Sequence, residues 1–239
     1  MISANGKCST RADANSIANG NPSKRVQISA TDRALSSDME KLDFGLNNSD
    51  QPVREMLSVC STHPTFVGWL KQSNLIRRCV AAVDNISNGV SPAAHLGFLM
   101  KRGGFKAVNM GDQSKIDPTG YIRFQLVTMA LGSMDTAELT AMFKKILPVL
   151  EEAYQELGYP DKSFRLTLAE AFDVLLRTPE VTGDVLLEEK VTSYGFKDPS
   201  LESLNDAQKH LLRMGPQNAA KILHKIREFY AALKKEGLM

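Results

Sequence analysis

The chain has 239 residues, 43% of them apolar, with a formal net charge of +2 at pH 7 and only three cysteines. That is long and apolar enough for one substantial core, or two small ones, without disulfide or metal support. So small a charge argues by itself for neither a polyanion partner nor a membrane surface, and Cys8, Cys60 and Cys79, with no C-x-x-C pair among them, indicate neither a disulfide framework nor a zinc knuckle.

Residues 1–49 are rich in Ser, Asn, Ala, Asp and Gly and poor in large apolar side chains, a composition that cannot offset the entropy of ordering. They read as a disordered tail. They contain no apolar run of membrane-spanning length and none of the parts of a secretory signal, so the literal sequence reads as cytoplasmic. A helix should start at Asp50-Gln51-Pro52, carry Val53, Met56, Leu57 and Cys60 at helical spacing, and break at His63-Pro64. A short segment with Phe66, Trp69 and Leu70 follows. Ser73-Asn74 then offers a cap for a helix whose stripe is Leu75, Ile76, Cys79, Val80, Val83 and Ile86, with Gly89 as its left-handed terminus. Its stripe position makes Cys79 a core residue. "SPAAHLGFL" adds a further turn or two.

Between 101 and 117 the helical period disappears, and glycine pairs flanking "FKAVN" suggest a small hairpin or an irregular loop. Asp117-Pro118 opens a helix bearing Tyr121, Ile122, Phe124, Gln125 and Met129. A longer one spans 135–157, with Asp135 and Glu138 as a capping-box-like pair and Pro148 as a bend. Gly158-Tyr159-Pro160 stops it, and "SFRLTLAEAFDVLLRTP" is the next amphipathic helix. A strand at 185–194 would pair with the segment near Phe105. Helices at about 205–214 and 217–235 close the chain and meet at Gly215-Pro216. The sum is a mostly α protein: a single helical domain at 50–239 with a minor β hairpin or small sheet, preceded by the disordered tail at 1–49.

The order of "LIRRCVAAVDNISNG", "PAAHLGFL", "IDPTGYIRF", "LPVLEEAYQELGYP" and "DPSLESLNDAQKHLLRMGPQNAAKI" resembles a bacterial domain family of unknown function, family 3014, over about 75–233. The resemblance implies no activity. It does imply an envelope setting, because members usually carry an N-terminal membrane anchor with the motif-bearing domain beyond the inner membrane. The polar start of this chain departs from that pattern, so an inner-membrane-anchored periplasmic location would require a start upstream of Met1.

No H-E-x-x-H, G-x-S-x-G or glycine-rich dinucleotide loop is present, so no catalytic residue, metal ligand or cofactor is assigned. Adjacent Glu151-Glu152 and Glu188-Glu189 diverge from one another and read as solvated faces rather than as an acid–base pair. The leading reading is a non-catalytic helical interaction module with an unknown protein partner, associated with the bacterial cell envelope if the family pattern holds. The first alternative is a small-ligand or anion-binding protein with unrecognised hydrolytic activity. For it Arg77, Tyr121, Arg123, Lys209, Arg213 and Asn218 would line one polar groove. Nucleic-acid binding is the second alternative and is disfavoured, because Glu228 and Glu236 interrupt the basic side formed by Lys221, Lys225, Lys234 and Lys235, which reads as solvated. In "LLRMGPQN", Gly215 in the left-handed conformation and Pro216 at a helix start predict a structural elbow, in preference to an anion site or a DNA-reading helix-turn-helix.

Overall fold

The computed structural model describes residues 42–99 and 103–239. Helices dominate it: α1 (Asp50–Leu57), α2 (Pro64–Leu70), α3 (Leu75–Ser87), α4 (Ala93–Leu96), α5 (Ile122–Gly132), α6 (Thr136–Glu156), α7 (Phe164–Leu176), α8 (Pro199–Glu202), α9 (Asp206–Leu212) and α10 (Pro216–Lys235). Four short strands, β1 (Ala107–Met110), β2 (Gln113–Ile116), β3 (Leu186–Glu189) and β4 (Tyr194–Phe196), form one antiparallel sheet in the order β1-β2-β3-β4.

The main core lies where α3, α6, α7 and α10 pack together, around Val80, Ile146, Leu150, Tyr154, Phe164, Phe172 and Leu233. Aromatic edges organise it: Phe229 meets Phe143 at 5.9 Å and Phe172 at 6.0 Å, both in T-shaped contact. A second cluster joins α2, α5 and α6 through Phe66, Trp69, Val127, Ala130 and Met142. A third lies under the sheet, where Ile116, Leu187 and Phe196 pack on Leu201 and Leu212 of α8 and α9.

Two carboxylates cap helices other than their own. Asp50 accepts from the backbone N–H groups of Asn74 and Leu75, at 2.8 and 3.0 Å, and so closes the start of α3. The Ser73-Asn74 pair does not cap it, because Asn74 is held at φ +58° and its side chain makes no capping bond. Glu151 is likewise no solvated residue. It accepts from Phe164 N at 2.7 Å, Arg165 N at 3.2 Å and Ser163 Oγ at 2.8 Å, satisfying the orphan donors at the start of α7. Lys225 differs from a solvated lysine in the same way. Its ammonium donates to Met134 O and Thr136 Oγ1, both at 3.0 Å, and pins α10 to the α5–α6 junction.

Cys79 lies on the exposed side of α3, while Ile76 and Val80 face the core. The segment expected to be one strand folds back on itself as the β3–β4 hairpin, and β3 pairs with β2 rather than with the chain near Phe105. The polar "KVTS" turn at 190–193 causes the reversal, and β1 and β4 are the two edge strands.

The expected disordered tail lies outside the described residues as far as residue 41, whereas the chain from Leu42 onward is packed. Leu46 is 3% exposed in the main core, Leu42 and Phe44 lie against it, and Ser49 Oγ donates to Leu46 O at 2.7 Å. Leu46→Ala should therefore destabilise the domain by about 2–5 kcal/mol, the usual effect of emptying a buried leucine site. Chemical denaturation of the purified full chain measures it, and a midpoint equal to that of the parent would show that residues 42–49 do not belong to the core.

Candidate ligand-binding site

The motif-bearing residues converge where α5, the sheet and the α9–α10 elbow meet. The N–H groups of Met214 and Gly215 stay within the closing turn of α9, donating to Leu211 O and Leu212 O at 3.1 and 3.0 Å. Gly215 then turns the chain with φ +90° and ψ 154°. That is not the left-handed helical conformation expected of it but the extended region at positive φ, which is essentially reserved for glycine. The reason is contact. A Cβ on Gly215 would lie 2.5 Å from the Tyr121 ring, so the elbow backbone rests directly against the aromatic face.

Asn218 locks this arrangement. Its Nδ2 donates to Tyr121 O at 3.0 Å and to Met214 O at 2.8 Å, and its Oδ1 accepts from Thr128 Oγ1 at 3.2 Å. At 6% exposure it is a buried tie between α5, α9 and α10 rather than a side chain offered to a ligand. Beside it opens a recess of about 450 Å³, lined by Tyr121, Ile122, Gln125, Asp184, Gly215 and Gln217 among others. The Tyr121 hydroxyl titrates above its ordinary range, from burial first and then from the Asp184 and Asp117 carboxylates.

The basic residues divide into three groups. Lys209 is taken up by Glu202 at 3.5 Å, and Glu202 also binds Lys190 at 2.6 Å and accepts from Phe196 N at 2.9 Å. The Lys190 hydrogen bond, the Phe196 N–H and the two ammonium charges together hold the Glu202 carboxyl down to about 2. Arg77 stands apart on α3, where Glu156 at 3.0 Å and Asn47 at 2.8 Å engage its guanidinium. Arg123 and Arg213 remain, each in contact with the chain between Gly103 and Phe105. Arg123 Nη1 donates to Gly103 O at 2.5 Å, and the Arg213 guanidinium lies 5.8 Å from the Phe105 ring centroid and donates to Tyr194 O at 3.1 Å.

His210, absent from the residues singled out in the sequence, belongs with these two. Its Nδ1 lies 3.2 Å from Ser91 Oγ, and burial, then Arg213, then Arg123 hold its imidazole below the ordinary range. The usable signal was the i,i+3 spacing of His210 and Arg213 on one helix face. Among the described residues no group of three or more His, Cys, Asp and Glu side chains is placed to hold a metal ion.

The fold is thus a mostly helical domain whose polar junction lies within the specific motifs. The chain belongs to the family described as "Protein of unknown function (DUF3014)", whose model matches residues 75–230. No curated protein and no solved structure matches it.

Gly215→Ala should be costly. Positive φ contributes strain of roughly 1–3 kcal/mol, and overpacking against Tyr121 a further roughly 1–3 kcal/mol. In a Tyr121→Ala background the second part disappears, so the same substitution should cost less there. A double-mutant cycle by urea denaturation reads the difference, and an additive cycle would contradict the contact.

Proposed function

We propose that the domain is a non-catalytic interaction module that receives an amphipathic segment of a partner protein along α5. The observation that carries this reading is the residue distribution of that helix. Phe124, Val127 and Ala130 are buried, yet Ile122 and Met129 on the outer side remain 60% and 54% exposed. A helix apolar on all sides is normally buried on all sides. Ile122, Gln125 and Met129 follow i, i+3, i+7 spacing, which places them in one uncharged row, and the row borders the recess under Tyr121. Grooves that take a partner helix have this character: an apolar strip, a neighbouring hollow for an anchor side chain, and an adaptable methionine.

The family resemblance supports a bacterial, envelope-associated setting for this interaction, and fractionation of the native protein between membrane and soluble material checks that part. Among the described residues no helix is long and apolar enough to cross a membrane.

Because both side chains are exposed, Ile122→Glu and Met129→Glu should change folding stability by no more than about 0.5 kcal/mol. A photo-reactive residue placed at 122 or at 129 should cross-link one discrete partner in the native host, and the glutamate change at the other position should abolish that product. Position 191, fully exposed on the β3–β4 turn, is the control. The same products from 122, 129 and 191, or none from the first two, would contradict the reading.

A further inference from the structure

Arg123, Arg213 and His210 differ from Lys115, Lys190 and Lys209 beside them, because among the described residues none of the three has a carboxylate partner. Lys115 pairs with Asp184, Lys190 and Lys209 with Glu202, Arg77 with Glu156, and Lys225 with Glu228. Arg123 and Arg213 donate only to backbone carbonyls, those of Gly103 and Tyr194. Arg123 Nε is in addition a buried donor with no hydrogen-bond partner. A buried guanidinium N–H without an acceptor is costly and calls for an explanation.

These groups are neighbours by construction. Arg123 holds Gly103 and Arg213 stacks by Phe105, so both arginines flank the same short loop. His210 lies one turn before Arg213 on α9, close enough to both guanidinium groups to feel their charge. Ser91, beside the start of α4, binds Nδ1 of that imidazole. In the tautomer in which Nδ1 accepts the Ser91 hydroxyl proton, Nε2 carries the ring hydrogen and can donate to an anion.

We propose that Arg123, His210 and Arg213 form a binding site for a phosphate-class oxyanion, a phosphate monoester being the ligand type. Two guanidinium groups and an imidazole N–H, carried by α5 and α9, supply more donors than the two oxygens of a carboxylate accept, whereas the terminal oxygens of a phosphate match them. Such an anion gives Arg123 Nε its acceptor and separates two like charges that otherwise face a third basic group. The site is distinct from the α5 face and does not depend on a protein partner docking there. It also divides the six candidate residues: Arg123 and Arg213 bind, Tyr121 and Asn218 position the elbow, Lys209 serves Glu202, and Arg77 takes no part.

The test uses the full chain and inorganic phosphate as the probe, at fixed ionic strength with chloride as the balancing anion. Phosphate should bind saturably in equilibrium dialysis, and the NMR titration of the His210 ring should move upward by roughly one unit, as expected when an anion replaces uncompensated like charge. Arg123→Gln and Arg213→Gln should each weaken binding roughly tenfold or more, the loss of one charge-assisted contact. Arg77→Gln should leave it unchanged. Arg123→Lys keeps a charge at the site, and a folded protein of this kind that binds weakly ties the affinity to the guanidinium geometry. A soluble short-chain phosphatidate compared with glycerol 3-phosphate then separates sources: tighter binding of the first assigns the site to a lipid headgroup, equal binding to a free monoester. Absence of saturable phosphate binding by the wild-type chain, or an unchanged affinity in Arg123→Gln, would overturn the proposal.

Discussion

The contact between Gly215 and the Tyr121 ring is the constraint on which the arrangement of this domain depends. It forces the backbone at 215 into a region open to glycine, ends α9, and aims α10 back across α5, α6 and α7. Asn218 secures the corner with three hydrogen bonds, two to α5 and its N-cap and one to the elbow itself. A polar side chain buried so completely is tolerated because its donors and acceptor are all used. The sheet is attached at the same place, since Tyr121 and Leu212 both pack on the cluster under β2, β3 and β4.

A second rule runs through the structure: helix starts are often satisfied from a distance. Asp50 reaches α3 across 25 residues, and Glu151 on α6 closes α7. Each such carboxylate neutralises orphan N–H groups and at the same time fixes the angle between two helices. Lys225 does the converse at the C-terminal end of α5, where a cation meets the Met134 carbonyl. Charges that resemble surface decoration in one dimension are thus interhelical ties in three. What they leave over, Arg123, Arg213 and His210, stands out because Lys115, Lys190 and Lys209 beside them have carboxylate partners.

Helix positions were legible in the sequence because apolar spacing and proline starts are local signals. Asp117-Pro118 and Asp135 mark helix starts as their residue types suggest, the helix placed at about 205–214 begins on the Asn205 cap, and His63-Pro64, read as a break, also opens α2. Strand partners were not, because four-residue strands carry little pattern and pairing is decided by contacts far apart in the chain. The packing of residues 42–49 was not legible for a similar reason. Leu42, Phe44 and Leu46 are too few to mark a core by composition, yet they fill a space left by α3 and α6. At the candidate site, Tyr121, Arg123, Lys209, Arg213 and Asn218 were found through their motifs, but their roles were not, since satisfaction of Asn218 and Lys209 depends on partners that spacing cannot reveal. His210 was missed because a single histidine has no meaning until Ser91 and two arginines surround it.

If the elbow is the tie between sheet and bundle, loosening it must release those parts together while the main core persists. Native-state hydrogen exchange on Asn218→Ala tests this most directly. The account predicts that amides of 107–116, 186–196 and the first turn of α10 lose protection as one cooperative unit, with α3, α6 and α7 still protected. An even loss across the whole domain, or protection of the sheet equal to that in the parent, would contradict it.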